Sequence, residues 1–207
     1  MGKILIGVDV GGPAKGFHAV ALQDRTITSK LRSRSADEVA AWVQSRGADV
    51  VAIDAPCRWR QPRGPSRTAE RQMAGAGISS FSTPTEEKAA EHPFYTWMLA
   101  GMKLYAALRP THPVYDGTPR TSQVCFETFP QAVACALAGE VVSAKEKNLV
   151  RRGLLRRWGL DPALLTSIDE VDAALCAIAA DAFFRDRFHG YGDPAGGFII
   201  VPSDRLP

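Results

Sequence analysis

Two aspartates stand where apolar, strand-like runs end: Asp9 after Ile4, Leu5, Ile6 and Val8, and Asp54 after Val50, Val51, Ala52 and Ile53. Open α/β sheets place ligand sites at the carboxyl ends of their strands, so two such strands bring both acids to one edge. A carboxylate leaving water needs a cation or several hydrogen bonds in compensation. Either acid alone is explained by capping a turn, as in Asp9-Val10-Gly11-Gly12, whereas the pair is better explained by a shared metal ion. A third acid needs more explanation. Ser167-Ile168-Asp169-Glu170 fits a capping box, and acids in a first helical turn complement the helix dipole, so Asp169 and Glu170 have structural reasons to be there. Asp172 has none: steps of three and four residues lead from it to Leu175, Cys176, Ala179 and Phe183, the face that should pack on the sheet. Asp169 lies one turn earlier on nearly the same face and is a candidate second ligand on that helix.

Glu127 ends the short run Cys125-Phe126-Glu127 just before Pro130. It can serve as metal ligand, as general base, or as N-terminal partner of the helix that follows. Oxygen donors without Cys or His clusters suit Mg²⁺ or Mn²⁺ rather than zinc. Such ions, held by shared carboxylates, generate an attacking hydroxide and stabilise the leaving oxygen in phosphoryl chemistry. Lys145, Lys147 and the arginines of residues 58–71 are placed to neutralise charge developing on a phosphate. The expected reaction is phosphodiester hydrolysis. Five arginines between Pro56 and Gln72, and six basic residues between Lys145 and Trp158, suit a nucleic-acid backbone, with no residue favouring DNA over RNA; solvated surface is the plain alternative for each cation.

These residues need elements to position them. Residues 3–10 read as a strand buried on both faces, broken by Gly11-Gly12-Pro13 and resumed at 16–22 as a hairpin, with a third strand at 27–33. Ser35 caps a helix over 36–46, and 49–54 is a further buried strand. Residues 58–85 are rich in Arg, Pro, Gly and Ser, too long for a simple connector, with a short helix near 66–74. A helix after Pro93 runs to about 108, followed by a strand at 124–128 and a helix opened by Pro130. A helix over 145–158 is closed by Gly159, the clearest helix spans 167–187, and a last strand lies at 198–201. This order predicts one mixed-sheet α/β domain over residues 1–207.

Composition agrees: 45% hydrophobic and 23% charged residues are ordinary for a globular chain, and no apolar run approaches a bilayer-spanning length. The N-terminus carries no secretory h-region, and the four scattered cysteines read as buried free thiols. The expectation is a cytoplasmic protein without membrane contact or structural zinc.

The ordered set of residues resembles the ribonuclease H-like superfamily, whose fold opens with a three-stranded antiparallel meander and carries acids on its first strand, its fourth strand and a C-terminal helix. Asp9, Asp54 and Asp172 fall at these positions, and Asp169-Glu170-Val171-Asp172-Ala173-Ala174-Leu175 looks like the corresponding helix of Holliday-junction resolvases. More closely, residues 4 to about 202 resemble domain of unknown function family 429, described as predicted nucleases. The carrying features are Gly7-Val8-Asp9, Ile53-Asp54-Ala55-Pro56, Arg67-Thr68-Ala69-Glu70-Arg71, Phe81-Ser82-Thr83-Pro84, Glu127-Thr128-Phe129-Pro130, Lys145 and the Asp172 helix. The resemblance implies a five-stranded mixed sheet flanked by helices, with an inserted Arg/Pro/Gly-rich loop and helix, and a cleft lined by Arg67, Glu70, Arg71, Glu127 and Lys145 beside the acids. Two departures are a turn at 11–16 without the cysteine often found in relatives, and Glu70 where Asp is usual. Gly7-Val8-Asp9-Val10-Gly11-Gly12 also resembles the phosphate-binding hairpin of sugar-kinase and actin-like ATPases, but no second Gly-rich hairpin follows residue 100 to form the other lobe. A non-catalytic nucleotide- or nucleic-acid-binding module is a third reading.

Overall fold

Strand β1 (Ile4–Val10) is apolar without alternation because helices cover both faces of the sheet it crosses. The computed structural model describes residues 2–119 and 123–203. A tight turn, in which Gly11 N donates to Gly16 O at 2.8 Å, returns β1 into the antiparallel β2 (Phe17–Gln23). Strand β3 (Thr26–Ser33) extends the meander as an outer strand, its residues alternating between exposed and half-buried. Helix α1 (Ala36–Ser45), capped by Ser35, leads to β4 (Val50–Asp54), which lies parallel to β1 with Asp54 level with Asp9.

The segment after β4 contains α2 (Thr68–Gly75) and α3 (Glu86–Glu91); α3 is too short and too polar to show in the hydrophobic pattern. Helix α4 (Thr96–Leu108) precedes β5 (Val124–Glu127), parallel to β4. Then follow α5 (Pro130–Ala138), α6 (Lys147–Trp158) and α7 (Ile168–Phe184). The chain ends its described part in a hairpin of β6 (Phe188–Asp193) and β7 (Gly197–Pro202).

Among the described residues the strands form one mixed sheet in the order β3-β2-β1-β4-β5-β7-β6. Its first five positions, an antiparallel meander followed by two parallel strands, are the ribonuclease H-like arrangement. Strand β7 is the strand expected at 198–201; with β6 paired to it, the five-stranded sheet that the resemblance implies becomes seven-stranded. Strand β6 was hidden because His189, Gly190 and Gly192 dilute its apolar pattern, leaving it half-exposed at an edge; α7 accordingly stops at Phe184 rather than near residue 187. Helices α1 and α4 pack on one face with Ile6, Val8, Val51 and Ile53. Helices α5, α6 and α7 cover the other with Leu5, Val50, Ala52 and Phe126. The four cysteines are buried free thiols, as their apolar settings predict. Among the described residues no helix is long and apolar enough to cross a membrane.

Two contacts set the position of the acids. A Cβ on Gly7 would stand 2.0 Å from the Ala173 carbonyl oxygen and 2.2 Å from the Ala177 nitrogen, so only glycine lets α7 lie this close to β1. At the α7 N-terminus the Ser167 hydroxyl accepts from Glu170 N at 3.1 Å, fixing where the helix starts and hence the direction of Asp172.

Candidate functional site

Gly7 faces α7 and strand side chains alternate, so Asp9 lies on the same side of β1, at its carboxyl end. Asp54 is its neighbour across the parallel β1–β4 pair, and α7 brings Asp172 against both. The three acids line a cleft of about 380 Å³, together with Asp169, Glu127, Arg67, Glu70 and Lys147. Lys145 and Arg71 do not line it. Lys145 is exposed before the start of α6, and Arg71 is exposed on α2, where its guanidinium donates to Ser66 O and Thr68 Oγ1. The family resemblance implied a place in the cleft for both; in this structure Arg71 is turned to its own loop and Lys145 stands in the exposed turn ahead of α6.

The acids raise one another's proton affinity. Burial, then the carboxylates of Asp172 and Asp169, push Asp9 up to about 8 against the opposing charges of Lys15 and Lys147. Burial, then Asp9 and Asp172, hold Asp54 well above the usual carboxylate range. Asp172 is also raised by burial, although the Arg151 guanidinium that donates to its Oδ1 pulls the other way. Asp169 accepts from Lys15 Nζ at 2.7 Å. A hard divalent cation is the partner that oxygen donors pressed together at such cost would accept. As the side chains stand, among the described residues no three acids, histidines or cysteines already converge on one ion position, since Asp172 is engaged by Arg151 and Asp169 by Lys15. The donor chemistry, oxygen ligands from clustered carboxylates, fits a divalent ion.

Glu127, Arg67 and Glu70 form a different unit. Arg67 donates from Nη2 to Glu127 Oε1 at 2.6 Å, from Nη1 to Glu127 Oε2 at 2.7 Å, and from Nε to Glu70 Oε1 at 3.0 Å. Glu127 also accepts from Cys57 N at 2.9 Å, and Glu70 from Thr83 N at 2.9 Å. All three side chains are at most 5% exposed. Burial opposes the Arg67 charge, but Glu127 and Glu70 outweigh it and raise its pKa. Arg67, Glu70 and Glu127 line the cleft as the resemblance implied, with the Arg67 fork filled by the protein's own carboxylates, which ties the inserted segment to the end of β5.

Lys15, Arg151, Trp97 and Phe81 also line the cleft, although the sequence argument did not select them. Arg151 had a legible signal: it heads the spacing Arg151, Leu154, Leu155, Trp158, the buried stripe of α6, just as Asp172 heads that of α7. Its Nη2 donates to Gln131 Oε1 at 3.0 Å. Lys15 and Phe81 lie on loops, where no periodicity marks them.

The family model described as Protein of unknown function (DUF429) matches residues 7–195, a span that contains every acid of the cleft. No curated protein matches the chain. Among solved structures the chain is similar to T. thermophilus RuvC in complex with Holliday junction substrate, at 17% identity over 96% of this chain and 99% of that one, with a TM-score of 0.44. It is likewise similar to the Thermus thermophilus RuvC structure, at 16% identity over 95% and 99%, with a TM-score of 0.40.

Proposed function

The chain belongs to the DUF429 family of proteins of unknown function, and from that premise we propose that it is a metal-dependent nuclease whose Asp9, Asp54 and Asp172 hold Mg²⁺ or Mn²⁺. The observation that carries this reading is the gathering of three carboxylates from two strand ends and one helix, Asp9 and Asp172 buried and Asp54 half-buried, that raise one another's pKa in a cleft also reached by lysines. Structural hydrogen bonding gives no reason for such a cluster, because none of the described bonds ties Asp9 or Asp54 to a side-chain donor.

Bound there, the ion supplies activation of a water and neutralisation of charge at the scissile phosphate. The protein's own groups do the rest. Lys15 and Lys147 lower the proton affinity of Asp9 and so favour its ligating, ionised form. Arg151, held between Asp172 and Gln131, keeps a fixed guanidinium at the cleft wall, where it can meet a phosphate oxygen. Asp169, tied to Lys15, sits at the rim as a further oxygen donor. The Arg67–Glu127–Glu70 unit positions the wall formed by the inserted segment. Nucleic acid is the proposed partner. The residues 1–207 are proposed to work as one domain inside the cytoplasm.

The test combines melting with cleavage. Mn²⁺ or Mg²⁺ is expected to raise the melting temperature of the wild type and to leave Asp9→Asn with Asp172→Asn unchanged. A panel of single-stranded, duplex, hybrid and branched DNA and RNA, incubated with manganese, then reads hydrolysis directly. Absence of both a metal shift and any cut product would overturn the nuclease reading.

A further inference from the structure

The cleft is also lined by apolar and aromatic side chains, Phe81, Trp97, Met98 and Phe129. Phe81 is 65% exposed and Phe94, in edge contact with it at 5.5 Å between ring centres, is 48% exposed. Phe94 in turn meets Tyr95 edge-on at 5.1 Å. Exposed aromatic rings that support one another, with Phe81 among them lining the cleft, mark an interaction surface. Phe81 is not loose: two residues later Thr83 N is pinned to Glu70 within the buried Arg67–Glu127 unit. Thr83 itself is 1% exposed, lines the same cleft, and its Oγ1 has no hydrogen-bond partner, a polar group that a ligand completes.

We propose that this aromatic wall stacks an unpaired nucleobase, so that the preferred substrate is single-stranded or locally unpaired nucleic acid. The inference rests on the nuclease reading for the kind of chain that enters the cleft. Three features select a base over another apolar occupant. The cleft joins the rings to the cations Lys15, Lys147 and Arg151, which match a phosphodiester carried by the same nucleotide. Its volume of about 380 Å³ lies at the low end of small-ligand sites, the scale of one nucleotide rather than of a stacked duplex. Unpaired bases expose the faces that aromatic side chains stack on, whereas paired bases keep theirs within the helix. A protein partner would gain from the rings but would have no use for the lysine–carboxylate side of the same cavity.

The experiment measures binding, with chelator present so that nothing is cut. Fluorescence anisotropy of labelled oligothymidine, oligouridine and a DNA duplex is recorded for the wild type, Phe81→Ala and Phe94→Ala, with circular dichroism melts to check folding. Both rings are exposed, so the variants are expected to fold. The single strands are expected to bind more tightly than the duplex, and Phe81→Ala to weaken single-strand binding on the order of tenfold while leaving duplex binding unchanged. The two single strands separate a DNA from an RNA preference, and either is consistent with the proposal. Equal binding by wild type and both variants, tighter binding of duplex, or no binding of any strand would each overturn it. Single strands that bind through Phe81 yet are never cut with manganese would sink the nuclease reading while the stacking wall stands; cleavage indifferent to Phe81→Ala would do the reverse.

Discussion

Asp9 carries an acid's charge in a place that resists it. Burial and the carboxylates of Asp172 and Asp169 raise its pKa from 3.8 to about 8. A carboxyl raised in this way holds its proton more tightly folded than unfolded. Its stabilising contribution is complete below about pH 4 and is lost as pH climbs toward 8, at up to about 1.4 kcal/mol per unit. The chelator-treated protein is therefore expected to melt several degrees lower at pH 8 than at pH 5, and Asp9→Asn to remove most of that slope. A wild-type melting temperature that does not change over this range would count against the repulsive cluster. Arg67 presents the opposite case, a charge that its partners require. Arg67→Ala leaves Glu127 and Glu70 buried without a cation, and is expected to cost about 3–5 kcal/mol in urea unfolding. A loss below about 1 kcal/mol would mean that the inserted segment is held by something else.

At the scale of elements, the site depends on how near α7 comes to β1. The Gly7 backbone against Ala173 and Ala177 allows that approach, and the alanines of α7 keep it shallow. Gly7→Ala forces helix and strand apart and is expected to cost about 1–3 kcal/mol or more by thermal unfolding. It should also weaken stabilisation by manganese, because Asp172 moves with the helix. Gly12→Ala is the control, since nothing lies within 4 Å of a Cβ there. If both variants melt like the wild type, close helix–strand approach does not position the acid. Helix α6 is matched to α7 in the same way: each begins its buried stripe with a charge, Arg151 on one and Asp172 on the other, and the two meet at the cleft.

Over the whole molecule, several cations of the runs seen in the sequence are tied into the fold. Arg60 donates to Gly64 O at 2.5 Å, Arg67 is enclosed by two glutamates, and Arg152 donates to Pro162 O at 2.8 Å and Leu165 O at 3.0 Å. Beside Arg67, which its two glutamates neutralise, the positive charge in the cleft comes from Lys15 on the β1–β2 turn and from Lys147 and Arg151 on α6, in a lining that also holds the acids and the aromatic side chains. This arrangement is what the proposed binding of one unpaired nucleotide rests on.

The apolar runs of β1 and β4 and the three-and-four spacing of α7 were enough to identify the meander, the parallel strands and the odd position of Asp172, because burial imposes those periods on sequence directly. Strand β6 was not legible, since an edge strand with two glycines needs no apolar pattern. Glu127 and Arg67 lie 60 residues apart, and nothing in either local sequence says that they meet. Likewise Lys15, Phe81 and Trp97 reach the cleft from two loops and a helix, a convergence that no spacing rule encodes. The residue types and their alternation determined which acids could do chemistry; only the tertiary structure decided which charges they share it with, because charge pairing depends on distance in space rather than along the chain.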